Sequence, residues 1–420
     1  MTGQPLAPRR PWAGRRVVLG VTGGIAAYKS IQVARDLTRL GAEVDVVLTH
    51  SAQKFVAPLS FEGVTGRRAL TDLFSAEGAA LHVRLGRDAD VVCVAPATAD
   101  FLARAAQGRA DDLLCTTLLA TRAPVVICPA MNDRMFAHPQ VQENLVHLRD
   151  RLGYHVAGPV EGALAVGEGE GPGRMLEPWQ IEEAVGRALG RSPNLDGRRV
   201  LVTAGPTQEP IDPVRYVGNR SSGRMGYAIA QAAWRRGALV TLVTGPSELD
   251  HPYGTDVIPV ETAVEMHEAV SGLIGTAEVS VFAAAVADFR PVGPRAQKIK
   301  RESEGAAMSV EMEANPDVAL DTVPARRPGS IAVGFALETG DLVENARGKL
   351  VRKRFDLLVA NDANEEGAGF GVATNRVTLL GAEGSVEALP LLGKDEVAEE
   401  ILDRVERLLH PVVETAGGEA

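Results

Sequence analysis

Cysteine is scarce in this chain of 420 residues: three occur, Cys93, Cys115 and Cys128. Their spacing fits neither a zinc site nor a disulfide framework. Two of them fall in segments that read as buried strands, where free cysteine behaves as a small hydrophobe. A reducing cytoplasm is the expected location. A basic excess is also lacking. The formal net charge of −10 argues against a nucleic-acid binder, which would show a basic face or tail. It leaves room for a local basic pocket. No run of about 18 apolar residues occurs, so no membrane span is expected. Arg9, Arg10, Arg15 and Arg16 precede no long apolar core, so no secretory signal is expected either. Lysine is the last shortage: seven stand among 44 basic residues. Where arginine serves for most purposes, a lysine is expected for its own properties, a compact charge and a readily shifted pKa. Lys298, Lys300, Lys349 and Lys353 form two short clusters; solvated surface lysines are the alternative reading.

What is present is an ordinary globular composition, 45% apolar and 23% charged, and a chain that starts twice. Gly14-Arg15-Arg16-Val17-Val18-Leu19 opens a strand running into Gly20-Val21-Thr22-Gly23-Gly24. Gly197-Arg198-Arg199-Val200-Leu201-Val202 opens another, running into Thr203-Ala204-Gly205-Pro206. Each start precedes a helical stretch and a second strand opened by Gly-Ala, at Gly41 and at Gly237. Third strands echo at Ala89–Ala95 and Ala277–Ala283. The fold class is therefore α/β: two tandem doubly wound parallel-sheet (Rossmann-like) domains.

The boundaries follow from composition. Residues 1–13 read as a flexible leader, 14–190 as the first domain, and 191–196 (Arg191-Ser192-Pro193-Asn194 at its head) as a linker. Residues 197–410 read as the second domain and 411–420 as a frayed tail. Helices are expected over about 25–39, 178–190 and Arg224–Arg235. Strands are expected at 15–20, Val91–Ala95 and Val125–Cys128. Residues 161–173, Glu-Gly-Ala-Leu-Ala-Val-Gly-Glu-Gly-Glu-Gly-Pro-Gly, read as a mobile loop or flap with no regular element.

In the first half, Gly20-Val-Thr-Gly-Gly-Ile-Ala-Ala-Tyr-Lys-Ser30 joins a strand to a helix whose N-terminus offers N–H groups to a phosphate. It lacks the dinucleotide spacing Gly-x-Gly-x-x-Gly, and a plain tight turn is the competing reading. Three further segments follow strands: Val47–Val56 with Thr49 and Phe55, Ala95-Pro96-Ala97-Thr98-Ala99-Asp100, and Pro129-Ala130-Met131-Asn132-Asp133-Arg134-Met135-Phe136. Strand ends are where ligands bind in open α/β sheets. Together with His82, in Ala80-Leu81-His82-Val83-Arg84-Leu85, this set resembles the flavin-containing cysteine decarboxylases over residues 15–177. The nearest likeness is to phosphopantothenoylcysteine decarboxylase. The resemblance implies a flavodoxin-like domain, with FMN held by Gly23, Gly24, Ile25, Thr49, Phe55, Pro96 and Thr98. It implies His82 as base, Asn132 on the substrate carboxylate, and Met131 beside the substrate. Phe136 stands where the family has tryptophan. Val166, in Leu164-Ala165-Val166-Gly167, stands where the family has the cysteine that reprotonates the enethiolate. Valine donates no proton, so another acid (Glu168 nearby, or water) serves, or the half-reaction stalls. Turnover is expected to survive.

The second start carries an insertion from Thr203 to Gly226 with Arg215, Asn219 and Ser221-Ser222-Gly223. The serines read as a helix N-cap and anion site; a proline-rich loop with a cap is the bland reading. Beyond it come Ala283–Pro291, Lys298-Ile299-Lys300, Asn315-Pro316-Asp317, Val333–Thr339, Lys349 through Lys353, and Ala360-Asn361-Asp362. In order and spacing these resemble phosphopantothenate–cysteine ligase over 197–400. The resemblance implies CTP-dependent activation of 4′-phosphopantothenate as an acyl-cytidylate, then capture by cysteine. Lys298 would form the acyl-cytidylate, Asn219 handle it, and Arg215 assist the second step. Ser221, Ser222, Phe282, Ala283, Ala284, Asp288, Pro316, Asp317, Val318, Ala319, Phe335, Lys349 and Lys353 would contact the nucleotide, with Asp288 also toward Mg2+ or Mn2+.

The combined expectation is a bifunctional cytoplasmic enzyme of coenzyme A biosynthesis, acting on small molecules, without nucleic acid or membrane. The resemblance further implies a homo-oligomer, a dodecamer from trimeric flavin-domain and dimeric ligase contacts. Two alternatives stay open: an active ligase fused to an impaired decarboxylase, or to a flavin-binding regulatory domain.

Overall fold

The computed structural model describes residues 10–74, 80–164, 166–167, 169–300, 308–338, 341–362 and 372–410. Most of the expected leader, Glu168 and the tail 411–420 lie outside the described residues. The chain divides into two compact units, Met1–Gly190 and Arg191–Ala420.

The first unit is built on five strands: β1 (Arg16–Val21), β2 (Glu43–Leu48), β3 (Val91–Ala97), β4 (Val125–Pro129) and β5 (His155–Val156). They lie in the order β2-β1-β3-β4-β5, all parallel. That is the flavodoxin-like order, with a switch point between β1 and β3. β3 is buried along its whole length, as a strand covered on both faces must be. On one face Val92 and Val94 pack with Leu85, Phe101 and Leu118. On the other lies the helix Ala27–Arg39, which buries Val33, Ala34 and Leu37 at helical spacing and packs against the helix Pro178–Gly190. Each such side chain contributes roughly 1.5–3 kcal/mol by leaving water.

Segment 161–173 departs from the expectation of an irregular loop. It forms an antiparallel hairpin, β6 (Val160–Ala163) with β7 (Glu170–Arg174). Glycines leave no side-chain pattern to read, yet their bare backbones pair. They also let β7 press onto the loop after β4: Met131 N–H donates to Gly173 O at 3.0 Å. A Cβ on Gly173, whose φ is +146°, would lie 2.3 Å from Met131 O. Docking, rather than propensity, makes this hairpin.

The second unit's sheet runs β12-β11-β8-β13-β16-β17-β19-β20. Its strands are β8 (Arg199–Ala204), β11 (Leu239–Thr244), β12 (Asp256–Pro259), β13 (Val279–Phe282), β16 (Ile331–Glu338), β17 (Leu357–Asp362), β19 (Thr378–Gly381) and β20 (Val386–Ala388). The first six in sheet order are parallel, and β19 and β20 extend the edge antiparallel. Counted from β8, this is the dinucleotide-type order 3-2-1-4-5-6. Small hairpins join β9 (Gln208–Pro210) to β10 (Tyr216–Gly218) and β14 (Phe289–Pro291) to β15 (Met312–Ala314). A two-residue pair joins β18 (Thr374–Asn375) to β21 (Leu392–Gly393). The segment 191–196 is fastened to this unit: Leu195 is fully buried in its core and Ser192 N–H donates to Arg236 O.

Candidate active sites

In the first unit, the loops after β1, β2, β3 and β4 meet the β6–β7 hairpin around a cavity of about 660 Å³. Gly23, Gly24, Ile25, Thr49, Thr98, Met131 and Asn132 line it, as the resemblance implied. The β1 turn is held against the β3 turn. Thr22 Oγ1 donates to Pro96 O at 2.8 Å and accepts from Thr98 N–H at 3.2 Å. Thr98 in turn caps the helix Ala99–Ala106. Gly23 is obligatory for space: a Cβ there would lie 2.4 Å from Ser51 Cβ. Asn132 caps the short helix Asp133–Ala137, its Oδ1 accepting from Arg134 N–H at 3.0 Å. Exposed apolar side chains, Ile25, Tyr28 and Met135, rim the opening.

Two expected cofactor positions, Phe55 and Pro96, do not line the cavity. Pro96 acts from behind, through the carbonyl that holds Thr22. His82 is likewise absent from the lining. It stands on the helix Leu81–Asp88, and its Nδ1 is buried without a partner among the described residues. Val166 projects fully into solvent at the hairpin tip.

Sequence reasoning missed Lys29. It is buried against the cavity, and its ammonium donates to Glu177 Oε1 at 2.9 Å and Met175 O at 3.4 Å. Burial works to raise the Glu177 pKa, but Lys29 and Arg174 together hold it below the usual range. The triad ties the glycine-turn helix to the hairpin's exit.

The second cavity, about 420 Å³, opens at the carboxyl ends of β8, β13, β16 and β17. It brings together Asn219, Ser221, Ser222, Phe282, Ala283, Ala284, Asp288, Pro316, Asp317, Val318, Ala319, Phe335, Lys349 and Lys353. Lys349 and Lys353, one turn apart on and just past the helix Leu342–Arg352, face the same way. Lys349 pairs with Glu338 at 2.7 Å and Lys353 with Asp317 at 2.9 Å. Burial would raise the Asp317 pKa; Lys353 and the Leu320 N–H outweigh it and hold the carboxyl low. Asn219 Nδ2 donates to Ala285 O and Val286 O at 3.0 and 3.2 Å, pinning the loop after β13.

The serines do not cap the following helix, contrary to the expectation. Its N-cap is Gly223 at φ +78°, because Ser221 Oγ accepts from Gly223 N–H, two residues on. The first turn of Arg224–Arg235 therefore has no side-chain cap and borders the cavity.

Arg215 and Lys298 fall outside the lining. Arg215 belongs to a separate network instead. Arg215 donates to Asp212 Oδ2 at 2.7 Å and to Ile299 O at 3.2 Å, and Ile299 N–H donates to Asp212 at 3.0 Å. The Ile299 N–H first, then those of Val214 and Arg215 and the Arg215 charge, hold Asp212 at about 2 despite its burial. Lys298 is exposed and precedes Ile299 in the chain.

Two family models match the chain: a flavoprotein family over residues 6–190 and the DNA/pantothenate metabolism flavoprotein C-terminal domain over 195–409. The chain is 43% identical over 399 residues to the coenzyme A biosynthesis bifunctional protein CoaBC of Vibrio vulnificus, covering 94% of this chain and 98% of that one. It is 46% identical over 405 residues to the same-named protein of Mycobacterium tuberculosis (strain H37Rv), covering 93% and 96%. The chain belongs to the family of bifunctional coenzyme A biosynthesis proteins. A crystal structure of the C-terminal domain of such a protein is 39% identical, covering 52% of this chain and 98% of that one, with a TM-score of 0.44. As a member of this family, the chain is a two-activity enzyme of coenzyme A biosynthesis, a flavoprotein decarboxylase joined to a phosphopantothenate–cysteine ligase.

Within that family frame, Thr203, Arg224, Asn315, Asn361, Asn375 and Lys394 are the cavity-lining polar residues of the ligase unit that no expected role covered. Lysine scarcity held the signal for two missed residues. Lys29 and Lys394 are the buried lysines among the described residues, and each lines one of the two cavities.

Proposed function

We propose that the ligase unit uses CTP and a divalent ion, Mg2+ or Mn2+, and that the decarboxylase unit binds FMN, with the ligase product feeding the decarboxylase. The observation that carries the ligase reading is the convergence of the thirteen expected nucleotide positions, and of Asn219, on one cavity. In the first step a 4′-phosphopantothenate carboxylate oxygen bonds to the α-phosphorus, and pyrophosphate leaves. Lys349 and Lys353 face the phosphates, and Lys298 neutralises the charge that develops at the transferring centre. The cysteine amine then bonds to the acyl carbon and CMP leaves, with Arg215 and Asn219 orienting the intermediate. Among the described residues the three-ligand cluster Asp111, Asp112 and Cys115 is taken up by Arg104, which pairs with both carboxylates. In the ligase unit a divalent ion would rest on Asp288, which lines the cavity, together with substrate phosphates, a usual arrangement for Mg2+.

The first cavity fits a flavin phosphate at the Gly23–Gly24 turn, where absent side chains bring backbone close to a ligand. A bound flavin would accept two electrons from the cysteine thiol and return them after carbon dioxide has left, so that the overall reaction is redox-neutral. The protein's part is to hold the substrate carboxylate at Asn132, beside the β6–β7 hairpin, and to take a proton at His82. Phosphopantothenoylcysteine then loses carbon dioxide and gains a proton to give 4′-phosphopantetheine.

We also propose a cytoplasmic homo-oligomer, a dodecamer with trimeric decarboxylase and dimeric ligase contacts. The reading is supported by His82, Arg215 and Lys298, which stand outside the cavities of their own chain, and by the exposed Tyr216 and Val217 on β10. One assay tests the whole scheme: 4′-phosphopantothenate, cysteine and CTP with magnesium, products weighed by mass. Decarboxylated product is the expected result. Accumulation of phosphopantothenoylcysteine would leave only the ligase standing, and no consumption of CTP would remove that too.

A further inference from the structure

Behind the wall of the ligase cavity lies Arg326, a residue that lines no part of it. It follows the short helix Val318–Asp321 and the turn Val323–Ala325. Its guanidinium reaches three backbone carbonyls. Nη2 donates to Ala319 O at 2.7 Å, and Nη1 to Arg354 O at 2.8 Å and Lys353 O at 3.1 Å. Its plane also lies over two aromatic rings, 5.2 Å from the centroid of Phe282 and 5.5 Å from that of Phe355. The rings touch each other, centroids 5.8 Å apart. Its Nε is buried with no partner among the described residues.

Each of these contacts ends on a segment that does line the cavity. Phe282 closes β13. Ala319 opens the helix after Asp317. Lys353 ends the helix Leu342–Arg352, and Phe355 follows it. On the cavity side the same two segments are tied once more, by Lys353 Nζ to Asp317. The Lys353 ammonium is thus set from the front by a carboxylate and from behind through its own main chain. Arginine suits the rear position because one planar group carries several donors and stacks on aromatic faces. It also meets carbonyls at a helix C-terminus, where a cation is favoured.

We propose that Arg326 is a positioning residue for the nucleotide: it sets the Asp317–Ala319 turn, the Lys353 ammonium and the Phe282 ring in the register the nucleotide needs, without touching it. The inference rests on the reading of this cavity as the CTP site. It follows that loss of Arg326 weakens nucleotide capture while leaving the later capture of cysteine intact.

The test uses the full chain with Arg326→Met and Arg326→Lys. Methionine keeps the apolar packing and removes every donor; lysine keeps the charge and one bonding direction. Binding of CTP with magnesium is measured by calorimetry, and pyrophosphate release and peptide-bond formation are measured separately. Losing charge-assisted bonds to several carbonyls predicts a CTP Kd and KM raised about 10- to 100-fold for Arg326→Met. The KM for cysteine and kcat at saturating CTP are expected within about threefold of the parent, and Arg326→Lys is expected to fall between. An unchanged CTP Kd in folded Arg326→Met overturns the proposal. So does an equal loss in every ligase parameter, which marks a purely structural brace. If Arg326→Met fails to fold, Arg326→Lys alone decides: an unchanged CTP Kd there overturns it. A parent protein that binds no CTP defeats the reading of the cavity itself, and is thereby told apart from failure of the Arg326 role.

Discussion

The two units open alike and diverge at one point. Each has a central strand flanked by the next two parallel strands, β2-β1-β3 in the first and β11-β8-β13 in the second. In the first unit the chain passes from Val21 to the helix at Ala27 through one tight turn. In the second it leaves β8 at Ala204 and does not reach its helix until Arg224, with the β9–β10 hairpin between. The short turn draws backbone close to a ligand. The long one carries the side chains Arg215 and Asn219 out on an arm. The difference teaches that the scaffold places a cavity at the strand ends, while the length of one connection decides how much additional chain is presented there.

The sharpest way to break this comparison is to disable one unit and ask whether the other notices. Lys298→Gln should lower CTP-dependent pyrophosphate release about 1,000-fold or more, an effect of the size that loss of a charge-stabilising group produces. Decarboxylation of supplied phosphopantothenoylcysteine should continue at the parent rate. Pyrophosphate release at an unchanged rate would falsify the assignment. Gly173→Ala is the converse. Its Cβ meets Met131 O at 2.3 Å and φ is +146°, so β7 must lift from the β4 loop at a cost on the order of 2–3 kcal/mol. Decarboxylase turnover should fall about 100-fold with the ligase rate unaltered; a ligase that fell in step would show that the two units are not independent.

A subtler change sharpens the comparison within the first unit. Val166→Cys should accelerate only the final protonation, about tenfold, within the usual range for a placed general acid. Rapid-mixing absorbance of the flavin, paired with the rate of product release, reads that step; equal rates in both proteins would show that the tip plays no part in it. The smallest effect concerns pH. Asp212 sits at about 2 in the folded protein, below its unfolded value of about 3.9. A lowered carboxylate stabilises above the unfolded pKa, and this contribution fades as pH falls from about 4 toward 2. Protection of the Ile299 amide from hydrogen exchange should therefore persist at pH 5 and weaken toward pH 3. In Asp212→Asn this pH dependence should vanish, and its persistence would point to a different acid.

Much of this was legible beforehand, for reasons that differ by residue. The helices Pro178–Gly190 and Arg224–Arg235 showed in apolar spacing, because burial on one face imposes a period. The residues lining the second cavity showed as motifs because they cluster on loops at strand ends. The β6–β7 hairpin did not show. Its glycines carry no period, and its pairing depends on a loop some forty residues away in sequence (about Met131 against Gly173). Arg326 gave no signal either, being one arginine in an arginine-rich chain, with a role that exists only once three distant carbonyls converge on it. His82 was found by resemblance, and its setting on the helix Leu81–Asp88, away from its own chain's cavity, could not be read from the six residues around it.

Val166 projects into solvent at the hairpin tip, with nothing among the described residues packed around it. A side chain in that position is invisible to folding: exchanging it costs the subunit nothing that a melting curve would register. The tip of β6–β7 is thus a position whose amino acid the packing of the described residues leaves free.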